Sequence, residues 1–197
     1  MEKDELVVQD IINGAKKLMQ QYGLKKTTME DIAKSAGKSK ATLYYYFKDK
    51  EEIFDRVINL EVYEFYQTVS EAVKKQSNAV KMLKTYMVTK LKTLREKTTL
   101  YSFVIENDLK GSLNREFGKV RQRYDDEEKK LISYILIKGV ETKFFKAEIA
   151  LEIDIISELL VSCVRGIEID IVEYKRNKGI DKKVDFLIEL LLKGIEI

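Results

Sequence analysis

An all-α fold is what this 197-residue chain predicts, on three observations. It has no proline and only nine glycines, its apolar residues recur three and four apart over long stretches, and capping residues fall between those stretches. Sheet proteins need turn residues at short intervals, whereas long helices need few. A hydrophobic fraction of 45% is that of a folded protein with a sizeable core. About nine helices are expected.

The first helix runs from Leu6 to Tyr22, with Val8, Ile11, Ala15, Leu18, Met19 and Tyr22 on its buried stripe and Gly23 as its stop. The second is only about two turns, with Met29, Ile32, Ala33 and Ala36 on one side. Either Thr27 with Glu30 or Thr28 with Asp31 makes its capping box, and Gly37 ends it. Ser39 caps a third helix through Phe47. On it Leu43 and Phe47 face one way, and Lys40, Thr42, Tyr44 and Tyr45 cannot all join them. Asp49 caps a fourth, reaching about Lys75, and a fifth covers Val80 to Arg95. A short apolar segment from Tyr101 to Leu109 precedes a helix from Arg115 to Lys138, for which Gly139 is the expected stop. The 28 residues from Ala147 to Tyr174 contain no turn signal and read as one helix despite their β-branched content. Asn177-Lys178-Gly179 then turns the chain into a last helix, which makes an αα-hairpin.

Composition removes several functions. With no histidine the chain lacks the usual metal ligand and the usual general base near neutrality, so no metal or cofactor is expected. Cys163 is the single cysteine, lies in an apolar run and reads as a small core residue. No cationic leader opens the chain and no apolar run is long enough to span a membrane, so the expectation is a cytoplasmic protein without membrane contact. Tyr-x-x-x-Lys pairs occur at Tyr22/Lys26, Tyr44/Lys48, Tyr46/Lys50, Tyr86/Lys90 and Tyr134/Lys138, a spacing found in dehydrogenases. No glycine-rich strand-to-helix loop accompanies them, so they read as chance in a chain with 11 tyrosines, and the expectation is no enzyme.

The densest local signal is Thr27 to Phe47, two short helices around a tight turn. That is a helix-turn-helix, whose second helix fits a DNA major groove. Between Lys34 and Lys50 five lysines stand against Asp49 alone, a local +4, whereas the 36 basic and 33 acidic residues of the whole chain sum to +3. The alternative is a surface αα-corner with solvated lysines. Three consecutive tyrosines beside lysines favour packing along a sugar-phosphate backbone.

This segment resembles the DNA-binding domain of the tetracycline-repressor (TetR) family of bacterial transcriptional regulators, through Thr28, Ile32-Ala33, Ala36-Gly37, Ser39, Thr42, Tyr44, Tyr46-Phe47 and Lys50-Glu51-Glu52-Ile53. The resemblance implies a three-helix DNA-binding domain over residues 1–48 and a helical effector-binding and dimerisation domain over 49–197. The function it implies is a sequence-specific regulator, a repressor of palindromic operators released by a small-molecule effector. It places Lys40, Thr42, Tyr44 and Tyr45 on the DNA face, Tyr46 at its edge, and Thr28 and Lys50 near phosphates. Ser39 and Lys38 complete the set. Lys38 departs from the family, where a small apolar residue is usual, and must run its stem along the core with its ammonium in water. Leu43 and Phe47 are core positions.

The resemblance also implies an effector pocket, for which Tyr63, Tyr66, Met82, Tyr86, Tyr101, Phe103, Phe117 and Tyr124 supply apolar and hydroxyl groups, with plain core packing as the alternative for each. Glu106 and Asp108 either favour a cationic ligand or sit outside a turn. The C-terminal hairpin resembles the family's dimerisation pair. Ile153, Ile156, Leu160, Val164, Ile167 and Ile171, with Leu187 and Leu191, make an apolar surface that isologous pairing would cover. The rival to a DNA-binding homodimer is a helical adaptor or structural dimer whose basic corner takes an acidic protein.

Overall fold

The computed structural model describes residues 2–96, 115–172, 174–175 and 178–196, leaving aside the side chains of 2, 3, 115–121 and 123. Eight α-helices lie among them: α1 (Glu2–Tyr22), α2 (Met29–Ala36), α3 (Lys40–Tyr46), α4 (Lys50–Lys74), α5 (Ala79–Glu96), α6 (Arg115–Glu141), α7 (Ile153–Val172) and α8 (Ile180–Ile195). A 3-10 turn, Ala147–Leu151, precedes α7, so the stretch read as one helix is two. The expected short helix from Tyr101 to Leu109 lies outside the described residues. Contacts divide the chain into two compact units, with α4 supplying the end of one and the start of the other: Met1–Tyr63 with Lys97–Val120, and Glu64–Glu96 with Arg121–Ile197.

In the N-terminal unit, α1 buries Ile11, Ile12, Ala15 and Met19 against Ile32 and Ala33 of α2, Leu43 and Phe47 of the α3 segment, and Ile53, Phe54, Val57 and Ile58 of α4. Of the two capping boxes open to α2, Thr28 with Asp31 forms. The Thr28 hydroxyl accepts from Asp31 N at 3.2 Å, and Thr28 N donates to Asp31 Oδ2 at 3.1 Å. Thr27 turns inward instead, its hydroxyl donating to Gly23 O at 2.8 Å. Gly37 adopts φ 63°, a left-handed conformation that glycine accepts without steric cost, and the turn closes through Lys38 N donating to Ala33 O at 3.0 Å.

In the second unit α5 packs against α7 and α8. Ser133 of α6 and the buried Ser157 of α7 share a 2.9 Å hydrogen bond. Gly139 does not stop α6, which continues to Glu141. A side chain there would collide with the buried ring of Phe145, 1.9 Å from where its Cβ would stand. The glycine is therefore a packing residue, and the chain turns at Lys143, with φ 57°.

Candidate functional site

α3 begins with its cap. Ser39 Oγ accepts from Thr42 N at 3.0 Å and lies 2.8 Å from the Thr42 hydroxyl, so Ser39 and Thr42 sit together at the N-terminus of α3. A seven-residue helix has little stability of its own, and its orientation comes from what it packs on. Leu43 is fully buried and Phe47 nearly so, which fixes the inward face. Tyr44 and the 80% exposed Tyr45 then stand outward together with Lys40. Tyr46 packs edge-on to Tyr45, with ring centroids 4.8 Å apart.

Two carboxylates of α1 hold the ends of this segment. Lys38, in the turn, pairs with Asp10 at 2.8 Å, its stem half-buried, and Tyr46, at the last residue of α3, donates its hydroxyl to Asp4 at 2.5 Å. The Asp4 hydrogen bond pushes the Tyr46 phenol up to about 12. Lys50 is also committed inward, its ammonium donating to the carbonyls of Leu24 at 3.3 Å and Thr27 at 3.2 Å. It ties down the α1–α2 loop. Of the five lysines behind the local +4, Lys34 faces Glu30 at 3.6 Å, whereas Lys40 and Lys48 are exposed and make no ion pair among the described residues. Thr28 is exposed but spends its hydroxyl on the α2 cap.

The second unit holds a feature that reading the sequence missed. Lys90, only 1% exposed, pairs with Glu128 of α6 and, at 3.0 Å, with Glu168 of α7, both buried. Tyr86, one turn before Lys90, donates to the same Glu128 oxygen, Oε1. The Lys90 ammonium lies 5.8 Å from the centroid of the Tyr86 ring and 5.4 Å from that of Tyr124, and Tyr124 packs on Phe65 at 5.7 Å. Burial pushes the Glu128 carboxyl above its ordinary range, the charge of Glu168 adds to the shift, and Lys90 and Tyr86 oppose it. The signal was present in the sequence. Lys90 stands in phase with Met82, Leu83, Tyr86, Met87, Leu91 and Leu94 on the apolar face of α5, so the Tyr86/Lys90 pair dismissed as chance is one side of this cluster.

Tyr86, Tyr124 and Met82 are thus buried, and Tyr66 is half-buried, its phenol raised by burial, with Ser70 and Glu127 as hydrogen-bond neighbours. Tyr63 is 62% exposed and is not an interior residue. Tyr101, Phe103 and the side chain of Phe117 lie outside the described residues, as do Glu106 and Asp108.

The apolar surface of the C-terminal hairpin is out of phase with the expected one. Leu160, Val164 and Ile171 are buried in the protomer's own core, and Ile153, Ile156, Ile167, Leu187 and Leu191 are half-buried. The exposed large apolar residues are Ile155 and Leu159 of α7 and Phe186 and Leu190 of α8, with Cys163 exposed one turn beyond Leu159. Of the expected stripe, Leu160, Val164 and Ile171 face the protomer's own core while Ile153, Ile156 and Ile167 are half-buried, and Cys163 is exposed and not a core residue.

Comparison with known proteins agrees with this architecture. Residues 11–57 match the model of the bacterial regulatory proteins of the tetR family. The HTH-type transcriptional regulator YhgD of Bacillus subtilis is 41% identical over 63 residues, 32% of this chain and 33% of that protein. The HTH-type transcriptional regulator QacR of Staphylococcus aureus is 30% identical over 122 residues, 59% of this chain and 63% of QacR. The chain therefore spans between a third and just under two thirds of these relatives. The crystal structure of a transcriptional regulator from Cytophaga hutchinsonii superposes with a TM-score of 0.81 at 28% identity, covering 95% of this chain and 97% of that one. The matched residues form the capped helix-turn-helix, so residues 11–57 are similar to the bacterial regulatory proteins of the tetR family, and the likeness to a solved transcriptional regulator extends through the remaining helices.

Proposed function

We propose that this protein is a sequence-specific DNA-binding transcriptional regulator, a homodimeric repressor of palindromic operators released by a small-molecule effector. Residues 1–48 serve as its reading domain and 49–197 as its effector and dimerisation domain. The observation that carries the reading is the two-sidedness of α3: Leu43 and Phe47 are spent on the core, while Tyr44, Tyr45 and Lys40 stand outward beside the Ser39–Thr42 cap. Hydroxyls and a lysine at a helix N-terminus suit phosphate contact, and outward aromatic side chains suit the groove wall. Relatives that are HTH-type transcriptional regulators support the same reading.

Dimerisation draws support from the surface of the hairpin. Leu159 is 60% and Phe186 65% exposed, a costly display of apolar area unless a second copy covers it. An isologous pair would place two reading helices about 34 to 36 Å apart, one turn of DNA. Effector release follows by linkage: a ligand preferring a dimer whose heads are wrongly spaced lowers DNA affinity by the factor by which DNA lowers its own.

Selection of bound duplexes from a random library tests the reading. The expected product is a palindrome with half-sites one or two helical turns apart. Recovery of no preferred sequence, or of a single asymmetric half-site, would remove the operator claim.

A further inference from the structure

We propose that Asp4 is a positioning residue for DNA reading: through Tyr46 it fixes the stance of the outward Tyr45, and so the sequence preference of α3, from a helix that lies outside the helix-turn-helix. The inference deepens the DNA-binding reading above and rests on it.

Besides its buried apolar side, α1 meets the segment from α2 to α3 along its length, in reverse chain order. At Gly14 the two backbones close up: a Cβ there would stand 2.9 Å from Ala36 N, and the Ser35 hydroxyl donates to Gly14 O at 3.1 Å. Nearer the start of α1, Asp10 pairs with Lys38 in the turn at 2.8 Å, and Asp4 accepts from Tyr46 at the end of α3 at 2.5 Å. At 1.5 Å per residue these contacts span about 15 Å of α1, so the helix lies along the helix-turn-helix as a rail. Its Gly14 end is fixed by contact between backbones, where no side chain can readjust. Asp4 holds the opposite end, next to the outward tyrosines.

The Tyr46 hydroxyl has a single proton, and it is given to Asp4 in a charge-assisted hydrogen bond. A phosphate is an acceptor too, so while that bond stands Tyr46 has nothing to donate to the DNA backbone. What the bond does is hold the ring. The Tyr46 ring stands edge-on to that of Tyr45, with centroids 4.8 Å apart and planes at 86°, an arrangement that the quadrupoles of two aromatic rings favour. Tyr45 is 80% exposed, so few neighbours other than this ring choose its orientation. Asp4 therefore reaches the most exposed aromatic side chain of α3 through two contacts. A carboxylate near DNA also repels phosphate, but that repulsion acts alike on every duplex, whereas the stance of Tyr45 matters to the one it fits.

The test is the ratio of affinities of the full-length protein for the selected duplex and for an unrelated duplex of equal length, read by fluorescence anisotropy. Asp4→Ala and Tyr46→Phe should each lower this ratio by about threefold to tenfold, the net worth of one hydrogen bond, and the double variant should lower it no further. Asp4→Asn loses the charge but keeps an oxygen acceptor, and should hold the ratio within about twofold. Unfolded protein binds neither duplex and drops out of the ratio, and circular dichroism of each variant is recorded alongside. A ratio unmoved by Asp4→Ala overturns the proposal, as do additive losses in the double variant. So does Asp4→Asn behaving as Asp4→Ala, or an equal change on both duplexes, since removal of a charge alone would produce either. A library that returns no preferred duplex removes the DNA-binding reading and this role with it, whereas a selected duplex whose ratio ignores Asp4 removes the role alone.

Discussion

The two units bury charge to different degrees. Around the helix-turn-helix most ties stay near the surface and fasten one element to another, Lys38 to Asp10, Tyr46 to Asp4, Lys50 to the carbonyls of Leu24 and Thr27, and the buried Glu61 carboxylate meets the part-exposed Lys16. In the second unit an ammonium and two carboxylates are taken out of water altogether, at Lys90, Glu128 and Glu168. Surface ties set geometry at small energetic stakes, because water competes for each partner. Interior charge carries high stakes, since water cannot replace a partner that is lost.

The largest effect expected from this contrast is at Lys90. Lys90→Met removes the ammonium that two buried carboxylates share, and should lower stability by about 3 to 5 kcal/mol, read from urea unfolding at pH 7. Lys38→Met, which breaks a half-exposed pair, should cost under about 1 kcal/mol. Equal losses would erase the distinction between the units.

The pH dependence of stability sharpens the same point. Because the folded Glu128 carboxyl holds its proton to higher pH than the unfolded one, the folded state binds more protons between the ordinary glutamate range and the folded pKa. Its contribution therefore weakens as pH rises through that window and is level above it. Glu128→Gln should remove that downward slope from the unfolding free energy. An unchanged slope would mean the carboxyl is ionised throughout.

A smaller effect is expected at the α2 cap. Thr28→Ala removes the hydroxyl that accepts from Asp31 N, and should cost about 1 kcal/mol in the melting of the protein. Asp31, held below the usual carboxylate range by the Thr28 hydroxyl, loses its part in the box as pH falls through its folded pKa.

How much of this was legible in the sequence differs between the units for a physical reason. In the N-terminal unit the signals are local: capping residues, Gly37 and the four-residue step from Leu43 to Phe47 determine helix ends and faces within a few residues, and they place α2 and α3 to within about a residue, with Phe47 the cap of α3 and not its last turn. Lys38 and Lys50 were harder, because their partners lie 28 and 23 to 26 residues away in the chain, and local charge counting treats both as free. In the second unit the decisive contacts are all distant, Lys90 meeting Glu128 across 38 residues. A helix that is apolar on most sides, as α7 is, leaves its phase open. Ile155 and Leu159 could not be told from Ile156 and Leu160 until the neighbours of α7 were in place. Lys90 in the apolar register of α5 was the one readable clue.

The central claim is that the outward side of α3 reads DNA while its inward side holds the fold. Fluorescence anisotropy of the selected duplex, titrated with Tyr44→Ala beside circular dichroism of the same sample, tests it most directly. The account predicts a loss of roughly 1 to 3 kcal/mol in binding, about tenfold or more in affinity, with helix content and melting temperature unchanged. Unaltered affinity, or a loss that tracks unfolding, would contradict it.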